Sequence, residues 1–147
     1  MNNMIKLDWN VGFSKSIDIV PEKRIPAVVP GAVQLDWARA HGWGEYFYAD
    51  NWKDYLWMED VYWSYVTSFD APILERNEKI FFVCKGVDYQ FIVKLNGKVV
   101  HEQEGMFTPF EIDMTDKIIC YNELEIKVFP APKRKDAVIR QGMCCGL

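Results

Sequence analysis

The sequence predicts an all-β fold, an antiparallel two-sheet β-sandwich of jelly-roll type with short helices near the N-terminal third, and three features predict it. Apolar and polar residues alternate through most of the C-terminal two-thirds, the pattern of half-buried strands whose successive side chains point to opposite faces. Asn96-Gly97 separates two such runs, and this pair readily takes the positive φ angles of a two-residue type I′ hairpin. Only two brief stretches read as helix, and many short strands with so little helix favour two stacked sheets.

From the N terminus, Ile5, Leu7 and Trp9 alternate, as do Ile17 and Ile19, and predict two strands before Pro26 and Pro30-Gly31 punctuate the chain. Val33, Trp37 and Ala40 recur at helical spacing and predict a short helix over 32–40, ahead of Gly42; residues 51–57 add another turn. Trp63, Tyr65, Thr67 and Phe69 share the core face of a strand beginning near Val61. Residues 79–85 are apolar on both sides, with Ile80, Phe82 and Cys84 against Phe81 and Val83, as expected of a central strand covered on both faces. Tyr89, Phe91, Val93 and Leu95 line one face of the next strand, and residues 98–104 return antiparallel after the Asn-Gly turn. Residues 108–112 read as a further strand, Asp113 to Asp116 offers capping oxygens for a single turn, and residues 122–129 send Leu124, Ile126 and Val128 inward. The sandwich domain takes residues 1–132, and residues 133–147 begin a linker or form a final strand.

A chain of 147 residues, half of them hydrophobic and 26% charged, has the size and balance of one folded domain. Its net charge of −4 argues against a nucleic-acid partner, which needs clustered cations to displace counterions. The one basic run, Lys133-Arg134-Lys135, follows Pro130 and Pro132 and has no aromatic residues between its charges, as a solvated linker does. No run reaches the roughly 18 apolar residues of a membrane span. The first residues lack a secretory pattern, so the chain as written is cytoplasmic, and exported if a signal peptide has been removed. Cys84, Cys120, Cys144 and Cys145 form no spaced disulfide framework and read as free thiols.

The order of short motifs resembles the sugar-binding domain that opens family 2 glycoside hydrolases, and within them the β-mannosidase-like members. Val29-Pro30-Gly31 ahead of a short helix, Asn51 followed by Trp57, and Trp63-Ser64-Tyr65 with Phe69 beyond carry its first half. Gly86-Val87-Asp88, Leu95-Asn96-Gly97-Lys98, Gly105-Met106-Phe107, Pro109-Phe110, Asp113, Thr115 and Asn122-Glu123-Leu124 follow in the family's order. Each motif alone is weak, and the ordered set spans nearly the whole chain. The resemblance implies a galactose-binding-like sandwich that serves, without catalysing, a retaining exo-acting glycosidase. Its partners would be a catalytic barrel and further sandwich domains of the same enzyme, with carbohydrate as a further partner.

Retaining glycoside hydrolysis requires two carboxyl groups about 5 Å apart, which the resemblance places on a (β/α)₈ barrel of about 250 residues. That barrel does not fit within 147 residues, so no catalytic residue is assigned here. The 21 acidic residues include pairs such as Glu59-Asp60 and Glu102 with Glu104, which read as solvated faces. Two histidines, His41 and His101, without Cys-x-x-Cys or His-Glu-x-x-His spacing give no metal site, and Cys144-Cys145 reads as bland thiols before a soft ligand pair. No phosphate loop or other feature calls for a cofactor. In β-mannosidase-like relatives a Gly-Trp-Asp-Trp segment that contributes to the sugar site follows soon after the position of Arg140. Here residues 141–147 depart from it and Trp-Asp-Trp is absent, as in an excised domain or a truncated gene product.

What faces sugar is therefore expected in the aromatic stretch 46–57, where Asn51, Trp52 and Trp57 are the candidate sugar-facing residues. Aromatic faces stack on the apolar side of sugar rings, and the Asn amide both donates and accepts hydrogen bonds. Two other readings use the same sandwich: a free-standing carbohydrate-binding module, and an interaction domain without enzymatic role.

Overall fold

The computed structural model describes residues 4–133. Among these residues, eight strands form two antiparallel sheets. The larger sheet contains β1 (Trp9–Ser14), β2 (Ile25–Ala27), β3 (Tyr62–Asp70), β5 (Gln90–Leu95), β6 (Lys98–Glu104) and β8 (Tyr121–Val128), in the order β2-β1-β3-β8-β5-β6. The smaller pairs β4 (Phe81–Cys84) with β7 (Phe110–Asp113). Between β2 and β3 lie helix α1 (Val33–His41) and a 3₁₀ segment, Asn51–Asp60.

The expected alternation sets the core. Val11, Trp63, Phe91, Val93, Leu124 and Ile126 are sealed on the inner face of the large sheet. Over one part of that face lies the small sheet: Phe82 sits 6.4 Å from Trp9, and Phe110 sits 5.3 Å from Phe91. Val33 and Trp37 of α1, with Met58 of the 3₁₀ segment, cover the rest. Burying each such large side chain contributes about 1.5–3 kcal/mol. The buried Asp36 of α1 accepts from Val28 N at 3.2 Å and from Arg39 at 3.1 Å, so its charge is compensated and the helix is tied to the chain beyond β2.

Asn96 and Gly97 have φ of 50° and 78°, and the turn joins β5 to β6 with Leu95 opposite Lys98. The hairpin continues past a register shift at Val93/Lys94 until Gln90 faces Glu104.

The outer face of the large sheet is largely polar, with Val66 and Ile92 as buried apolar exceptions, and is partly roofed. Residues 15–24 cross it as a strap. Lys127 of β8, buried there, donates to the carbonyl oxygens of Ile17 at 2.7 Å and Ile19 at 3.4 Å. Burial pushes this ammonium's pKa down, against the pull of Glu125. Glu125 also accepts from Ser64 and lies 3.7 Å from Lys94. The strap lies close because β1 carries Gly12 beneath it: a Cβ there would strike the Lys23 carbonyl and come within 2.7 Å of Pro21.

Four expectations change. Residues 79–85 do not form a strand buried on both faces: β4 belongs to the small sheet, and its outward side chains Phe81 and Val83 are 45% and 57% exposed. Ile17 and Ile19 form no strand, because their carbonyls serve Lys127. The first strand starts only at Trp9, with Ile5 exposed, and the second N-terminal strand is β2, which among the described residues pairs only with β1. Pro26 is tolerated there because an edge strand has a side with no partner to bond. Ala40 lies on the exposed side of α1. The expected linker or final strand lies outside the described residues beyond Lys133.

Candidate functional site

The aromatic stretch folds as a closed loop followed by the 3₁₀ segment. Tyr48 N donates to Glu45 O at 3.1 Å and Asn51 N to Tyr48 O at 3.2 Å. From the far side, Asn51 Nδ2 donates to Glu45 O at 2.9 Å and Tyr55 OH to Gly44 O at 2.9 Å. The buried Tyr55 ring meets Trp43 and Tyr46 edge-on at 5.1 and 5.4 Å. These clamps hold a tip on which Phe47 is 80% exposed and Tyr48 72% exposed, an apolar surface that water alone does not favour.

The three candidate sugar-facing residues have different surroundings. Asn51 is half-buried, with its amide nitrogen committed to Glu45 O and its Oδ1 without a partner among the described residues. Trp52 is exposed, and the Lys53 ammonium, itself 2.8 Å from Asp50, lies 5.8 Å from its ring centroid. Trp57 is half-buried and turns inward, 4.9 Å from Phe13, 5.8 Å from Trp37 and 5.9 Å from Trp63. The structure thus brings Asn51 and Trp52 to the surface side of the segment and packs Trp57 beneath it.

Strand register fixes what else lies at this end. Trp63 at the start of β3 pairs with Val128 at the end of β8, which pairs with Phe91 at the start of β5. Ala131 N then donates to Glu59 O at 3.0 Å, and Lys133 pairs with Asp60, so the chain leaving β8 meets the C-terminal end of the 3₁₀ segment. At the same end the β4–β5 and β6–β7 connections meet, with Gly105 N donating to Tyr89 O at 2.8 Å. Asp88 is only 9% exposed there, and its Oδ1 has no hydrogen-bond partner among the described residues. Desolvation raises the pKa of this carboxyl. Beside it, Phe107 is 85% exposed.

Sequence reasoning placed Asp88 and Phe107 among motif landmarks without assigning them to a surface. The signal was the hairpin itself: a turn at Asn96-Gly97 folds the two glycine-bounded segments, 86–88 and 105–107, back onto the same end. Among the described residues, no three His, Cys, Asp or Glu side chains gather to hold a metal. Cys84 and Cys120 are free thiols, and among the described residues no helix is long and apolar enough to cross a membrane.

Comparison with known proteins bears on the family and the fold. Residues 9–143 match the model of the glycosyl hydrolase 2 galactose-binding domain-like family. The chain is similar to β-mannosidase B of Aspergillus flavus, 30% identical over 131 residues, covering 88% of this chain and 16% of the relative. Its fold is similar to that of β-D-mannosidase from Dictyoglomus thermophilum, with a TM-score of 0.71 at 26% identity over 84% of this chain and 15% of that one. The exo-chitosanase of Amycolatopsis orientalis shares the fold with a TM-score of 0.74 at 17% identity, over 90% of this chain and 17% of that one. The chain therefore spans under a fifth of the length of these relatives. With two antiparallel sheets, the ordered motifs and a family match over residues 9–143, this chain belongs to the galactose-binding-like domains of family 2 glycosyl hydrolases.

Proposed function

We propose that the chain works as the non-catalytic accessory domain of a retaining, exo-acting glycoside hydrolase of the β-mannosidase kind, and that the aromatic loop and 3₁₀ segment pack against the catalytic barrel of that longer protein. The observation that carries this reading is the clamped tip: Phe47 and Tyr48 stand exposed on a loop held by Asn51 and Tyr55, while the chain beyond β8 is tied to Glu59 and Asp60 at the other end of the 3₁₀ segment. An ordered, exposed aromatic surface marks a contact site. In this reading Asn51 Oδ1 and the Trp52 ring lie at the margin of the barrel's sugar pocket, and Trp57 supports them from below.

The reading frame downstream of Leu147 gives the first test, since a barrel encoded there supports the proposal. In that longer protein, Phe47→Ser with Tyr48→Ser lowers turnover of an aryl β-mannoside and exposes a protease-sensitive junction. Wild-type turnover and resistance in the double variant would remove the docking role. Unchanged turnover in Asn51→Ala would remove Asn51 from the pocket.

A second reading, a free-standing carbohydrate-binding module, is favoured by the exposed Trp52 ring. Titration of this chain with mannose, mannobiose and galactose separates the two: the accessory reading expects no saturation tighter than about millimolar, and micromolar affinity would establish the module.

A further inference from the structure

We propose that Asn96 is a modification site. When the hairpin turn comes away from β8, the backbone nitrogen of Gly97 attacks the Asn96 side chain and expels its amide as ammonia, and the carboxylate left behind keeps the turn from locking onto β8 again. This is a property of the domain itself, independent of the barrel contact proposed above.

Sequence and turn geometry supply the reactants. Asn96 is the one Asn of the chain that Gly follows, and glycine, lacking a Cβ, leaves its nitrogen unhindered and its backbone free to turn toward the preceding side chain. Gly97 is exposed, and among the described residues nothing but its chain neighbours lies within 4 Å of where a side chain on it would begin. Water therefore reaches the turn, and water is the only other reagent required. The bond from Gly97 N to Asn96 Cγ forms as the Cγ–Nδ2 bond breaks, and the Gly97 N–H proton departs with the amide nitrogen as ammonia. Water then opens the cyclic imide to an aspartate or an isoaspartate.

The closed fold holds the reaction back. Asn96 Nδ2, the leaving group, donates to Asn122 Oδ1 at 2.9 Å, and Asn96 Oδ1 accepts from Glu123 N at 2.9 Å. Both ends of the amide are pinned to β8, so Cγ is not free to swing onto Gly97 N. The same contacts make the product a poor fit. Asn122 is fully buried, and its orientation is set by Ile119, whose N–H donates to Oδ1 at 2.9 Å and whose carbonyl accepts from Nδ2 at 2.6 Å. Its amide cannot turn over to offer a donor without losing both bonds. An oxygen in place of Asn96 Nδ2 thus faces Asn122 Oδ1, two acceptors with no proton between them at neutral pH, which is worse for a buried group than an ordinary missing bond. In the isoaspartate, an extra backbone methylene also disturbs the two-residue turn that sets Leu95 opposite Lys98. Because β8 is bonded to β3 on one side and to β5 on the other, a released turn loosens the strand that joins the halves of the large sheet.

Incubation of the 147-residue chain in mildly alkaline buffer, with and without enough urea to unfold it, tests the proposal. The readout is the mass of the peptide carrying residues 95–98, which gains the difference between an amide and an acid. Expected is conversion at Asn96 in urea, slowed by about ten-fold or more in the folded chain. Equal rates would mean that the bonds to Asn122 and Glu123 hold nothing back, and absence of conversion in urea would remove the site; either result overturns the proposal. Asn96→Asp makes the aspartate product directly and adds an independent arm. Its urea midpoint is expected to fall below that of the wild-type chain at neutral pH, and the backbone amides of residues 96 and 123, bonded across the turn, are expected to exchange faster by about ten-fold or more. A midpoint and exchange equal to wild type would show that the carboxylate re-forms the lock, which overturns the proposal as well.

Discussion

Asn96 and Asn122 meet through a hydrogen bond of 2.9 Å, from the Nδ2 of the first to the Oδ1 of the second. Asn122 is fully buried, and it also accepts from Ile119 N at 2.9 Å and donates to Ile119 O at 2.6 Å. Asn96 Oδ1 in turn accepts from Glu123 N at 2.9 Å. The hairpin turn and the entry to β8 are therefore locked by one pair of amides. Asn122→Ala leaves the Ile119 groups without that partner, and the expected loss is about 2–4 kcal/mol in urea unfolding.

Trp52 and Trp57 should separate cleanly. Trp57 contacts Phe13, Trp37 and Trp63, so Trp57→Ala is expected to lose about 3–5 kcal/mol. Trp52 is exposed, and Trp52→Ala should stay within about 0.5 kcal/mol of the wild-type chain. Denaturant melts of the two variants side by side make the comparison.

Lys127 fastens the strap. Lys127→Met removes the donors to Ile17 O and Ile19 O, leaving the strap tied to the sheet by its packing over Gly12. Faster exchange at backbone amides of residues 15–24, by about ten-fold or more, is the expected result. Exchange within β3 and β8 should change far less.

Acid titration should single out Asp113. Thr115 donates to its Oδ1 from the hydroxyl at 2.6 Å and from the backbone at 3.0 Å, and Lys79 stands 3.3 Å from Oδ2. These contacts hold its pKa down to about 2, below the ordinary value of about 3.9. A carboxyl depressed on folding adds stability that is fully present above the ordinary value and lost as pH falls through the folded one. The window is thus between about pH 4 and pH 2. In Thr115→Ala the carboxyl titrates closer to its ordinary value, as ¹³C NMR of the side chain would register, and acid unfolding begins at higher pH.

The strands that proved easiest to read are those whose two faces differ chemically. β3, β5 and β8 place an apolar side chain toward the core at nearly every second position, with mostly polar residues between them and only Val66 and Ile92 apolar and buried on the other face, and the positive φ angles at Asn96 and Gly97 follow directly from residue type. Residues 79–85 misled because an apolar side chain on each face is compatible with burial between layers and equally with an exposed patch; Phe81 and Val83 form the patch. Ile17 and Ile19 misled because alternation over so few residues carries little weight once a buried lysine recruits the local carbonyls. At the candidate site, composition located the aromatic stretch but not the direction of any ring. Trp52 and Trp57 are equivalent as letters; only Phe13, Trp37 and Trp63, brought from other elements, turn one of them inward.

β8 is bonded to β3 along one edge and to β5 along the other. During synthesis on the ribosome, everything up to Cys120 is therefore two half-sheets with raw, sticky borders, and they stay separate until β8 emerges to join them. That interval is when a nascent chain of this kind most needs a holding chaperone. A nonsense codon or a protease cut ahead of Tyr121 would release an unclosed fragment prone to clumping, with no smaller folded unit to fall back on.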